Sequence, residues 1–205
     1  KYTLQYVDRR RFSHLFLTFA AIDDKKRLVI VRRVRTCEGG GIIRQLVLGA
    51  GDHDNIASVV GVHIFNPLVT FVVSQVYSRT LDMLMRDEMY EDHARFIVSQ
   101  VVRGLAFAHQ NGRVHGALAP DIVYVDERLR VKVGDFGLHH ANSEQFRAPE
   151  LAMNRYALST PCDVWSLACI VVKMWDPYLR EPMEALVDCT EPVIGFVRVL
   201  LRFDP

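Results

Sequence analysis

The chain has 205 residues, half of them hydrophobic and 24% charged, with a formal net charge of +1. That length suits one sizeable core or two small lobes, and the composition argues against a disordered chain or one drawn to nucleic acid by a global field. No apolar run reaches the ~18 residues a membrane helix needs, and the opening KYTLQYVDRRRF has no signal-peptide core.

The first third alternates as strands do. Leu15–Phe19 and Leu28–Val31 are β-branched and aromatic runs around the polar turn Asp23-Asp24-Lys25-Lys26, which predicts a hairpin. Gly39-Gly40-Gly41 then precedes a helical candidate at 42–48, and Ser58–Phe65 and Leu68–Val73 read as strands around an Asn66-Pro67 turn. From Thr80 the period becomes helical. The spacing predicts a helix over Glu91–Gln110, with Ala94, Ile97, Val98, Val101, Val102, Leu105 and Ala108 as its apolar stripe and Asn111-Gly112 as its stop. Val123–Val125 and Val131–Val133 read as short strands, and the almost wholly apolar Pro161–Trp175 as a buried helix.

Cys37, Cys162, Cys169 and Cys189 lack metal-ligand spacing, which predicts buried free thiols in a reducing, intracellular setting. The histidines show no ligand pattern either, and His139-His140 read as loop residues. Arg9-Arg10-Arg11, Lys25-Lys26-Arg27 and Arg32-Arg33-Arg35 read as a solvated basic face, with a patch for an acidic partner as the alternative.

His115-Gly116-Ala117-Leu118-Ala119-Pro120-Asp121-Ile122 resembles the H-R-D-L-K-P-x-N catalytic loop of eukaryotic protein kinases. Asp135-Phe136-Gly137 is similar to their D-F-G, Ala148-Pro149-Glu150 to A-P-E, and Asp163-Val164-Trp165-Ser166 to the D-V-W-S opening of a buried helix. The run Phe146-Arg147-Ala148-Pro149-Glu150 and the run Val76-Tyr77-Ser78-Arg79-Thr80-Leu81 resemble the mitogen-activated and cyclin-dependent branch. The resemblance implies an α+β, bilobal protein-kinase-like fold: a β-rich N-lobe over 1–73, a hinge at 74–78 and a mainly helical C-lobe over 79–205.

It also implies which positions should act, and many carry other residues. The Gly-rich loop falls on Asp8 to Ser13, with Asp8, Arg10 and Ser13 at the glycine positions. Arg32 stands at the phosphate-binding Lys, and Arg44 (Gln45 in a register one residue on) at the Glu that would pair with it. Two facing arginines should push that helix outward or send Arg44 to solvent. In the loop Ala117 replaces the proton-accepting Asp, Ile122 the metal-binding Asn, Ala119 the Lys and Gly116 the Arg. Asp121 occupies the variable position and reads as a solvated turn residue. Asp135 is the remaining expected magnesium ligand, vestigial like Arg32, and Ile30 and Tyr124 are expected to fill the adenine slot.

The frame residues remain. His115, Phe136, Glu150 and Asp163 imply a structural loop in which Phe136 stacks on His115 and Asp163 accepts hydrogen bonds from the loop backbone. Glu150 is expected to lack its usual Arg, since the chain stops at Leu200–Pro205. These substitutions lead to the expectation of a pseudokinase: not an enzyme, without a cofactor, and binding other proteins as scaffold, allosteric partner or part of an assembly. A cytoplasmic or cytoskeletal location, no nucleic-acid partner and no membrane segment go with it. The alternative is an atypical ATP-dependent protein Ser/Thr kinase that recruits Arg32, Asp135 and Asp121 and binds ATP weakly, with or without magnesium.

Overall fold

The computed structural model of the chain describes residues 3–7, 16–35, 53–66, 69–86, 89–136, 145–153 and 158–175. The Gly-rich-loop position at 8–13, Arg44 and Gln45, Cys37, Cys189, Gly137, His139-His140 and Leu200–Pro205 lie outside the described residues.

The N-lobe is a five-stranded antiparallel sheet in the order β1-β2-β3-β5-β4. Its strands are β1 (Thr3–Val7), β2 (Phe16–Ile22), β3 (Leu28–Arg35), β4 (Val59–Asn66) and β5 (Val69–Gln75). The β2–β3 hairpin closes on Asp23, whose Oδ1 accepts from the Lys25 and Arg27 amides at 2.9 and 2.7 Å. Lys26 takes the left-handed conformation at φ 59°. This is the turn chemistry that favours Asp: its short carboxylate caps nearby amides while the chain reverses. Arg27 pairs with Asp23 and Arg32 is buried, so these two residues do not extend a free basic patch.

Alternation along β3 sorts its side chains. Val29 packs with Ala21 and Val73, and Val31 lies against that cluster. Ile30 and Arg32, one residue out of step, project from the other face.

The C-lobe carries the main core. It contains β6 (Arg79–Thr80), α1 (Leu81–Leu84), α2 (Glu91–Gln110), a short 3-10 turn (Pro120–Ile122), β7 (Val123–Val125), β8 (Val131–Val133), α3 (Pro149–Met153) and α4 (Thr160–Trp175). Ile97, Val101 and Leu105 of α2 meet Leu167, Ile170 and Val171 of α4, with Leu118, Ile122 and Val133 completing the cluster. The segment before β4 is tied to this lobe, since the Ala57 amide donates to Val133 O at 2.8 Å and the Val133 amide to Asn55 O at 2.9 Å.

The stripe of α2 differs from the expected one at Val102, which is 41% exposed, while Gln100 and Gly104 are buried. The reason is polar. Gln100 Nε2 donates to Leu129 O at 2.7 Å, and its Oε1 accepts from the Val131 amide at 3.0 Å and from Asn55 Nδ2 at 3.3 Å. Its amide group therefore serves backbone that the helix would otherwise bury unpaired. Among the described residues no helix is long and apolar enough to cross a membrane.

Gly104 is where α2 comes closest to Asn55: a Cβ there would lie 2.7 Å from the Asn55 carbonyl oxygen. Gly104→Ala gains helix propensity worth about 1 kcal/mol, but an overpacked contact against backbone costs about 1–3 kcal/mol. The expected net result is a lower urea midpoint; a raised midpoint would show that the Asn55 segment yields freely.

Candidate active site

The loop from 114 to 122 is shaped from below by Asp163, in the first turn of α4. Its buried carboxylate accepts from the His115 amide (2.7 Å to Oδ2) and the Gly116 amide (2.8 Å to Oδ1), and His109 Nε2 lies 2.8 Å from Oδ2. His115 is equally buried. Its Nδ1 accepts from the Ala117 amide at 3.3 Å, so Nε2 carries the proton and donates to Gly134 O at 2.8 Å. The His115 ring lies 4.5 Å from that of Phe136, centroid to centroid, at a tilt of 39°.

Gly116 has a local reason of its own. Its φ is +72°, and a Cβ would come within 2.5 Å of Leu158 Cδ1. A side chain there meets both a strained backbone and an occupied space. Ala117, Ala119 and Ile122 are all buried, and Ala119 and Ile122 belong to the main core cluster.

The expectation of a solvated Asp121 is corrected. The residue is only partly exposed in the 3-10 turn, and its Oδ1 is buried with no hydrogen-bond partner among the described residues. Leaving a carboxylate oxygen in that state costs on the order of 1–3 kcal/mol. The turn carries Asp121 because Pro120 and Ile122, on either side of it, are buried and fix the local backbone.

Arg32 from β3 reaches Asp135, just after β8, and forms an ion pair between Nη1 and Oδ1. Its Nη2 donates to the Tyr124 hydroxyl at 3.0 Å, and that hydroxyl donates to Asp135 Oδ2 at 3.1 Å. Three side chains thus close one ring of polar contacts. The Tyr124 ring stacks on Tyr77, 4.4 Å between centroids and 16° between planes. Gly134 makes room for it, since a Cβ there would lie 2.5 Å from Tyr124 Cε2. Asp135 itself is left-handed at φ 59°, a conformation Asp tolerates better than most residues.

Arg32 has Asp135 as its counter-ion, and the arginine expected to face it, Arg44, lies outside the described residues. Ile30 is half-buried on the same face of β3, and the ring against Tyr124 is Tyr77, which the sequence reading placed only in the hinge run. A signal was present in the pairing of an aromatic hinge residue with a glycine ahead of D-F-G.

Burial opposes the Arg32 charge, but the Asp135 carboxylate and Tyr124 outweigh it and hold the guanidinium above its ordinary pKa. Burial pushes Tyr124 up to about 12, helped by Asp135 and opposed by Arg32. Tyr77 is also raised, first by burial.

Magnesium, which the resemblance implies, does not fit these residues. Ile122 offers no oxygen, and both oxygens of Asp135 are engaged by Arg32 and Tyr124. Among the described residues no group of three or more His, Cys, Asp or Glu is arranged to hold a metal ion.

Glu150, in α3, accepts from Cys162 Sγ at 3.2 Å through Oε1, while its Oε2 is buried without a partner among the described residues. Burial, with Glu150 beside it, pushes the Cys162 thiol up, which keeps it protonated and unreactive. Cys162 and Cys169 are both buried thiols.

A β-sheet lobe and a helical lobe, joined at Arg32–Asp135 and with the loop held on Asp163, define an α+β, bilobal kinase-like domain. The chain belongs to the protein kinase domain family, whose match covers residues 43–185.

The mitogen-activated protein kinase homolog MMK2 of Medicago sativa is 30% identical over 151 residues, covering 64% of this chain and 39% of its own length. Mitogen-activated protein kinase 14 of Xenopus laevis is 28% identical over 139 residues, 60% of this chain and 38% of its own. Similarity to this group accords with the mitogen-activated look of the sequence. The chain spans about two fifths of the length of the curated relatives it matches (39% and 40% for two of them). The crystal structure of Rad53 1-466 in complex with AMP-PNP superposes with a TM-score of 0.79 at 23% identity, covering 97% of this chain and 60% of that one. Family and relatives overturn the expectation that the chain is not an enzyme: protein kinases are enzymes, and the comparisons give no sign of inactivity.

Tyr124→Phe removes one hydroxyl and leaves Arg32 and Asp135 each a partner short. The expected loss is about 1–3 kcal/mol, read as a lower urea midpoint at unchanged slope. A pH series tests the same group. Tyr124 rises from its ordinary 10.0 to about 12 on folding, so the unfolded chain loses this proton first. The stability linked to the phenol is fully present below about pH 10 and is lost as the pH climbs to 12. This decline should be absent in Tyr124→Phe.

Proposed function

We propose that the domain is an atypical ATP-dependent protein serine/threonine kinase whose charged machinery is reduced to Arg32, Asp135 and Asp121. The observation that carries this reading is the buried Arg32–Asp135 pair, formed between residues 103 positions apart. Phosphoryl transfer asks a protein chiefly for positioning and for stabilisation of charge. Arg32 supplies a guanidinium for phosphate oxygens, and Asp135 with Tyr124 fixes its orientation.

Ala117 has no atom that accepts a proton. Asp121 is the carboxylate of the same loop and is partly exposed, which makes it our choice to receive the proton of the substrate hydroxyl. ATP enters through the family and through Rad53, whose structure contains AMP-PNP; a protein substrate enters through the kinase relatives. A cytoplasmic setting goes with this reading, since Cys162 and Cys169 are buried as reduced thiols.

Transfer of labelled γ-phosphate to a generic protein acceptor and to the domain itself tests this reading. The expected result is incorporation by the wild type, reduced at least about 100-fold in Asp135→Ala and in Asp121→Asn. Incorporation at background in the wild type, or equal in wild type and Asp135→Ala, overturns the kinase reading.

A further inference from the structure

The sheet lobe meets the helical lobe at three ties. Before β4 the chain is fastened to β8: the Ala57 amide donates to Val133 O at 2.8 Å, the Val133 amide to Asn55 O at 2.9 Å, and Lys132 Nζ to Asp54 O at 2.9 Å. After β5 the connecting segment carries Tyr77, whose ring stacks on that of Tyr124. From β3, Arg32 reaches Asp135 and the Tyr124 hydroxyl.

Tyr124 is common to the last two ties. Its buried ring lies on the connector, while its hydroxyl accepts from Arg32 of the sheet lobe and donates to Asp135 of its own lobe. One side chain therefore clasps sheet lobe, connector and helical lobe together. In doing so it takes up Nη2 of Arg32 and Oδ2 of Asp135, whose Nη1 and Oδ1 are already paired with each other. The two ions, each 6% exposed, are present but covered.

The seat of the ring is narrow. A Cβ at residue 134 would lie 2.5 Å from Tyr124 Cε2, so the ring fits because that position is glycine. The atom in the way belongs to a side chain that can turn, not to backbone. The place of Tyr124 thus hangs on one missing methyl group, and contacts made only in a closed state set how often the open one is visited.

We infer that Tyr124 is an autoinhibitory latch: with the phenol seated the lobes are shut in a resting state, and phosphoryl transfer requires it to leave, uncovering Arg32 and Asp135. This rests on the kinase reading above and adds the regulation of that same site.

The test compares the wild-type chain with Tyr124→Leu, which removes hydroxyl and stacked ring, and with Gly134→Ala, which displaces the ring and keeps every charged group. Val101→Ala, in the core of the helical lobe, serves as a variant destabilised away from the latch. Amide hydrogen exchange over residues 74–80 reads the opening, and labelled γ-phosphate transfer reads the activity. The expected result in both latch variants is exchange at 74–80 faster by about tenfold, with the amides of α2 unchanged. Transfer is expected to rise at least about fivefold over wild type. Val101→Ala should show neither effect. Gly134→Ala keeps the comparison decisive where Tyr124→Leu fails to fold. Exchange at 74–80 that stays at the wild-type rate, or rises equally in Val101→Ala, overturns the latch. So does wild-type transfer that neither latch variant exceeds, and that result leaves the kinase reading standing. Transfer at background in every protein overturns the kinase reading and, with it, the autoinhibitory role of Tyr124.

Discussion

A guanidinium and a carboxylate, both taken out of water, meet where the sheet lobe faces the residues following β8. Each ion loses hydration, and the attraction between them repays that loss only when the geometry is close and the remaining polar atoms are bonded. Tyr124 meets the second condition by giving one bond and taking another. Much of the surrounding structure follows from keeping this arrangement intact. Alternation on β3 sends Arg32 to the side opposite Val29, the absence of a side chain at Gly134 admits the Tyr124 ring, and Tyr77 covers its face. The left-handed backbone at Asp135 aims the carboxylate.

The catalytic-loop region depends on a second buried carboxylate in a different way. Within the loop Asp163 bonds backbone amides and no side chain, its other partner being His109 of α2, so its hold on 115 and 116 does not depend on the side chain at 117. His115 adds a ring that is bonded at both nitrogens and packed on Phe136. Shape and chemistry are therefore separable in this loop: backbone and buried imidazole set the first, and exchangeable side chains the second. That separation explains why a reading based on the acting positions alone leads toward an inert domain while residues 43–185 match the kinase family.

Local periodicity made the elements legible. The 3.6-residue pattern gave α2 its bounds, and short β-branched runs gave β7 and β8 theirs. Polar burial was not legible. Gln100 on α2 reads as a surface residue until Leu129, Val131 and Asn55 are seen to surround it. Asp121 reads as a turn residue for the same reason, because nothing in its neighbours in sequence reports that one oxygen is enclosed. The Arg32–Asp135 pair joins two lobes, and no local pattern announces a counter-ion that distant. The motifs named both residues, but as ligands of something absent from the chain rather than as partners of each other.

Gly116 has a consequence for how this loop can change. At φ +72° its backbone strains any side chain, whatever the space around it. Leu158, whose methyl lies 2.5 Å from the Cβ position, is 37% exposed and can swing aside, so the obstacle to the family's Arg is the backbone and not the neighbour. A single exchange at 116 therefore leads through a less stable protein unless the turn itself changes, and the present form of the loop preserves itself.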